Sequence, residues 1–164
     1  MINGNFGRLS AALCLGASIV GASFMARGQE QGAPADIILA RKTLMSVIAR
    51  NMYPLDEMIY TGKINLPRGR ANADSIAAML QAFPFLFPRS TNTWTPGQSG
   101  ELATATFADP HIWQEFEFFN KQIQAATKYG FDASRSENEA DFRKHVTELR
   151  LTCDSCHATF QKNN

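Results

Sequence analysis

Apolar residues recur at steps of three and four along four separate stretches of the chain, and none alternates over strand length. Between about Asp36 and Tyr60, Ile38, Arg41, Met45, Ile48, Met52, Leu55 and Ile59 lie on one continuous helical face. Pro34 and Asp36 suit a helix start, whereas Pro54 is expected to kink or divide the helix. After a loop with Pro67 and Gly69, a second helix is expected from about Arg70 to Phe83, with Ile76, Met79, Leu80 and Phe83 inward. It should stop before Pro84, because the residue preceding proline avoids the helical region. A third begins near Asp109-Pro110, a cap followed by a first-turn proline, aligns Ile112, Phe116, Phe119, Ile123 and Ala126, and ends at Tyr129-Gly130. A fourth begins between Ser136 and Glu139 and carries Phe142, Val146, Leu149, Cys153, Cys156 and Phe160 at the same spacing. The stretch from Pro84 to Asp109 holds three of the seven prolines and reads as a long connection whose Phe85-Leu86-Phe87 run packs back on the core. The pattern predicts an all-α fold, an antiparallel four-helix bundle, in which a cofactor site is built between facing helices.

Composition adds a compartment to this picture. With 164 residues, 45% of them hydrophobic, the chain is long and apolar enough for one packed domain. The first segment stands apart: Arg8 precedes an apolar run from Leu9 to Met25, followed by small residues suited to cleavage. It reads as a cleaved signal peptide over residues 1–28, leaving a domain over 29–164, with Ala22 as another cleavage position and an uncleaved anchor as the competing reading. Processing removes Arg8 and Arg27, so 14 basic residues face 15 acidic ones and the net charge becomes about −1. Nucleic acid is therefore not an expected partner, no membrane span is expected after processing, and the expected location is the periplasm.

Cys14 leaves with the signal, and the two remaining thiols both sit in Cys153-Asp154-Ser155-Cys156-His157. C-x-x-C-H is the pattern of covalent haem attachment: two thiols form thioethers with the haem vinyl groups, and the adjacent imidazole coordinates iron. One covalent haem c is the expected cofactor, held by Cys153 and Cys156, with His157 as proximal iron ligand. A thioredoxin-like dithiol would call for a βαβ pattern, which is missing here. A zinc site would need two more ligands, for which His111 and His145 lack paired spacing.

The stretches Arg41-Lys42-Thr43-Leu44-Met45, Phe83-Pro84-Phe85-Leu86-Phe87-Pro88, Ile112-Trp113 and the C-terminal C-x-x-C-H together resemble the cytochrome c′ family, the class II c-type cytochromes. That family has two branches, separated by the first-helix residue that faces the iron. An apolar residue there leaves five-coordinate iron open to nitric oxide or carbon monoxide, whereas methionine in relatives of cytochrome c-556 type ligates. Counting four from Arg41 leads to Met45, with Met52 the next candidate, so the resemblance implies the methionine-ligated branch. The expected function is then a periplasmic single-electron carrier with His157 and Met45 as axial ligands, exchanging electrons with protein partners as a monomer or homodimer and catalysing no reaction itself. The alternative is a five-coordinate, gas-binding cytochrome c′. The resemblance also implies that Arg41 contacts a haem propionate; a side chain snorkelling at the rim is the other reading. Gln161 departs from the family pattern, which usually has a basic residue four positions after the proximal histidine. Trp94, Trp113 and the phenylalanines read as core and pocket walls.

Overall fold

The computed structural model describes residues 32–97 and 105–162; the expected signal peptide lies outside them. Helix α1 (Pro34–Thr61) is a single run, and Pro54 sits inside it without dividing it. Proline removes the hydrogen bond to the carbonyl of Arg50, but that residue is exposed, so water can replace the lost donor. Helix α2 (Leu66–Ala82) starts four residues earlier than its periodicity suggests. The side chain of Asn65 caps it by accepting from the amide of Arg68 at 3.1 Å, and Pro67 fits the first turn, where no amide donor is needed. Gly69 thus belongs to the helix, where a Cβ would come within 2.3 Å of the buried Phe142 ring.

The connection after α2 contains two 3-10 turns, Phe83–Leu86 and Arg89–Thr91. Only part of the expected Phe85-Leu86-Phe87 packing occurs: Phe87 is buried, while Phe85 is 83% exposed. The third predicted helix is broken in two, α3 (His111–Gln114) and α4 (Phe116–Ser134), at Glu115. The break turns Phe116 outward, although the stripe placed it inside. Helix α4 then runs through Gly130 instead of stopping there. A Cβ at Gly130 would lie 3.0 Å from the Cβ of Ala77 and 3.3 Å from the carbonyl oxygen of Ala73, so glycine serves close helix packing. Helix α5 (Glu139–Phe160) is capped by Asn138, whose side chain accepts from the amide of Asp141 at 2.9 Å, and it carries the C-x-x-C-H on its last turns as expected.

These helices form the four-helix bundle that the periodicity predicts, with the short α3 leading into α4. Helix α2 packs along α1 and α4, and α4 along α5, whereas α1 and α5 meet over much less of their length. Ile38, Leu55, Ile76, Phe142, Val146 and Leu149 are completely buried; each side chain of this kind is worth about 1.5–3 kcal/mol relative to exposure. Besides Ile59 and Met79, the stripe positions left half-buried are Met45 on α1 and Cys153 and Cys156 on α5, and these three line one cavity. Met45, Cys153 and Cys156 mark where α1 and α5 stand apart.

The approach at Gly130 makes one expectation quantitative. Gly130→Leu, which keeps good helix propensity, should lower the unfolding free energy by about 1–3 kcal/mol by overpacking α2 against α4. Urea denaturation of the variant and the parent measures it; an unchanged midpoint would show that the helices can move apart freely.

Candidate haem site

Between α1 and α5 lies a cavity of about 460 Å³, comparable to pockets that take cofactor-sized molecules. One wall comes from α1, with Met45, Ile48 and Met52; the opposite one comes from α5, with Cys153, Cys156 and His157. Phe83, Phe87, Phe119 and Phe160 close it on the core side, as the sequence expects of its aromatics. Their rings meet edge to face, with centroids 4.7 Å apart for Phe87 and Phe119 and 5.3 Å for Phe119 and Phe160. Trp113 braces this wall by donating from its indole nitrogen to the carbonyls of Phe87 and Pro88 at 3.0 and 3.2 Å.

Helical spacing brings the two thiols and the imidazole to one wall, since positions three and four apart share a face. Burial pushes Cys153 and Cys156 up to about 11, with neighbouring charges as smaller influences on Cys153 and the other thiol as the smaller one on Cys156. A redox dithiol needs a lowered thiol pKa, so these protonated thiols do not fit the thioredoxin-like reading. Loss of water lowers the pKa of His157, with Asp154 opposing and Arg150 assisting, a shift in the direction that favours the neutral ring and its lone pair. Among the described residues no group of three or more His, Cys, Asp or Glu side chains could hold a metal ion, so His111 and His145 complete no zinc site.

Arg41 is only 4% exposed, so it does not snorkel at the rim. Its guanidinium donates to Thr106 Oγ1 at 2.7 Å, to the Leu86 carbonyl at 3.3 Å and to Thr91 Oγ1 at 3.4 Å, and lies 4.5 Å from the Phe87 ring centroid. Burial alone lowers its pKa to about 10, and none of the ion pairs among the described residues involves it. A buried cation held only by neutral groups at the cavity wall fits an anionic substituent on a bound ring. Thr91 and Thr106 escaped sequence reasoning, being 50 and 65 residues away from Arg41 with no periodic signal. An apolar slot, two thiols, an imidazole and this guanidinium suit haem c.

The connection that brings Thr106 to the site is clamped to the end of α5. The amide of Asp109 donates to the Phe160 carbonyl at 2.9 Å, and that of Lys162 to the Phe107 carbonyl at 2.8 Å. Asp109 is itself buried and accepts from Lys162 Nζ at 2.7 Å and from the amide of His111 at 2.9 Å. Its burial would raise the carboxyl pKa, but the hydrogen bonds and positive charge of Lys162 and His111 outweigh it, and the net shift is downward.

The match of the cytochrome c′ family model to residues 36–161 identifies the chain as a member of that family. The family carries one covalently bound haem c, as the C-x-x-C-H suggests. No curated protein sequence matches the chain. Among solved structures, cytochrome c′ from Thermochromatium tepidum is 19% identical with a TM-score of 0.69, covering 79% of this chain and 97% of its own. Cytochrome c′ from Shewanella frigidimarina is 20% identical with a TM-score of 0.67, over 81% of this chain and 99% of its own. The nitric oxide complex of a leucine-to-isoleucine mutant from Alcaligenes xylosoxidans is 15% identical with a TM-score of 0.66, over 82% and 100%.

These findings correct the expected function. Members of the family are five-coordinate haem proteins that bind nitric oxide or carbon monoxide, which overturns the electron carrier with His157 and Met45 as axial ligands and with it the c-556-like branch. The spacing from Arg41 does put Met45 on the cavity wall, but beside Met52 and Ile48. Methionine there has an ordinary packing role, as a flexible apolar filler, and position on a wall does not establish a bond to iron.

The Asp109 clamp carries a pH dependence of known sign. A carboxyl with a depressed folded pKa contributes stability above its unfolded value, and that contribution is lost as pH falls through the lower folded value. Acid unfolding should therefore steepen below the ordinary carboxylate value of 3.8, and Asp109→Asn should flatten that part of the profile. Urea midpoints measured across acid pH decide it; parallel profiles for the two proteins would rule the clamp out as the source.

Proposed function

We propose that the chain is an exported haem c protein that binds a diatomic gas, nitric oxide or carbon monoxide, at five-coordinate iron. The observation that carries this reading is the apolar cavity between α1 and α5 with the C-x-x-C-H on one wall. In it Cys153 and Cys156 form the thioethers, and His157 is the proximal ligand. Arg41 supplies the charge for a propionate. The haem, once attached, supplies iron with one coordination position left for an external molecule.

The chain's own groups decide what reaches that position. Met45, Ile48 and Met52 offer apolar surface, which favours a small uncharged molecule over water or an ion. With a binding task, the protein acts as a binder and not as an enzyme. The Arg8-led apolar segment directs it to the periplasm, and among the described residues no helix is long and apolar enough to cross a membrane. It works there as a monomer or homodimer; one structural relative, 18% identical, is described as a cytochrome c′ with ligand-controlled dimer dissociation.

The visible spectrum of the haem-loaded protein tests the reading. Broad high-spin bands, shifting when carbon monoxide is added to the reduced form, are expected. Sharp low-spin α and β bands that ignore the gas would overturn it. The attachment is tested separately: the parent should retain haem through acid-acetone extraction, whereas the Cys153→Ala, Cys156→Ala double variant should release it.

A further inference from the structure

The α1 and α5 walls of the cavity are joined by a charged bridge that the haem site does not require. Arg150 Nη1 lies 3.5 Å from Asp56 Oδ2 on α1, and Arg150 Nη2 lies 3.1 Å from Asp154 Oδ1 on its own helix. Arg150, Asp154 and His157 stand at spacings of four and three, so they share one face of α5, and Asp154 sits one turn before the imidazole. Arg150 also lines the cavity. Their side chains are 41–53% exposed, and pairs as wet as these contribute little to stability. The arrangement is poorly explained as a fold-holding device.

We infer that Asp154 is a positioning residue for the proximal ligand, its carboxylate held by the Asp56–Arg150 pair so that α1 helps set the charge seen by His157 and the iron. This rests on His157 being the proximal ligand and is indifferent to whether the sixth position is open. A metal-bound imidazole keeps one ring N–H for an outer partner, and a carboxylate in that role makes the ligand more basic. Negative charge there favours the ferric over the ferrous state; Arg150 offsets part of it. The bridge holds two acids and one base, a net of −1. Four positions after His157 the chain carries the neutral Gln161, which adds nothing to the partial offset by Arg150. Both Asp154 and Arg150 reach His157 electrostatically, with opposite signs.

The test is the one-electron midpoint potential of the haem-loaded protein, with the electrode supplying the electron to ferric iron. Asp154→Asn should raise the potential, Asp56→Asn should raise it by less, and Arg150→Gln should lower it, all with thermal midpoints near the parent's. Unchanged potentials, or a fall with Asp154→Asn or a rise with Arg150→Gln, would overturn the inference. Because Asp56 lies outside the haem-attachment motif, its variant keeps the test open if either α5 variant loads haem poorly; a shift for it equal to or above that of Asp154→Asn would equally count against the relay. The carbon monoxide response of each variant reports the open coordination position independently, so failure of the gas-binding reading and failure of this one are told apart.

Discussion

A slot of apolar surface between two helices, too wide for their side chains to close, is the constraint on which the structure depends. Elsewhere the bundle is tight: Gly130 lets α4 approach the backbone of α2, and Gly69 makes room for the ring of Phe142. Between α1 and α5 the helices stay apart, and the side chains of Met45, Cys153 and Cys156 are left half-buried around the gap. A void lined by apolar atoms costs the chain both lost contacts and lost burial unless something fills it. The family's covalent haem supplies that filling, so the close packing of α2 on α4 and the opening between α1 and α5 are two sides of one design.

Charge is organised around the same slot. Arg41 is stripped of water and balanced only by hydroxyls, a carbonyl and aromatic faces, an arrangement that gains when an anionic group arrives. At the seam between α1 and α5, Arg150 joins Asp56 to Asp154 in partial contact with solvent, where the same Coulomb interaction is weak for stability but still felt by the neighbouring His157. In the roles proposed for them, the buried cation acts on binding and the exposed bridge on electrostatic tuning, a division that follows from their dielectric surroundings.

Expectation and structure agree where the signal is local and repeated. The all-α bundle and the placing of the C-x-x-C-H on the last turns of α5 follow from helical period and a five-residue motif. They part where a single residue was read without its neighbours. Pro54 on its own suggests a kink or a division, yet α1 runs through it undivided, and Gly69 and Gly130 suggest a loop and a terminator, although their missing side chains serve helix contacts. Phe116 followed the period of a helix that in fact breaks at Glu115. Met45 lies on the cavity wall as its spacing implies, but the family to which the chain belongs has five-coordinate iron that binds nitric oxide or carbon monoxide.

By itself the sequence determined the fold class, the haem chemistry and the face on which it is presented, because helical periodicity and i, i+3, i+4 spacing are properties of the local backbone. Tertiary structure alone decided where α1 and α5 separate, which neutral groups surround Arg41, and that Asp109 and Lys162 clamp the connection to the end of the haem helix. Those contacts join residues tens of positions apart, and they form only because burying apolar faces brings distant segments together; no local pattern encodes which partner will be met.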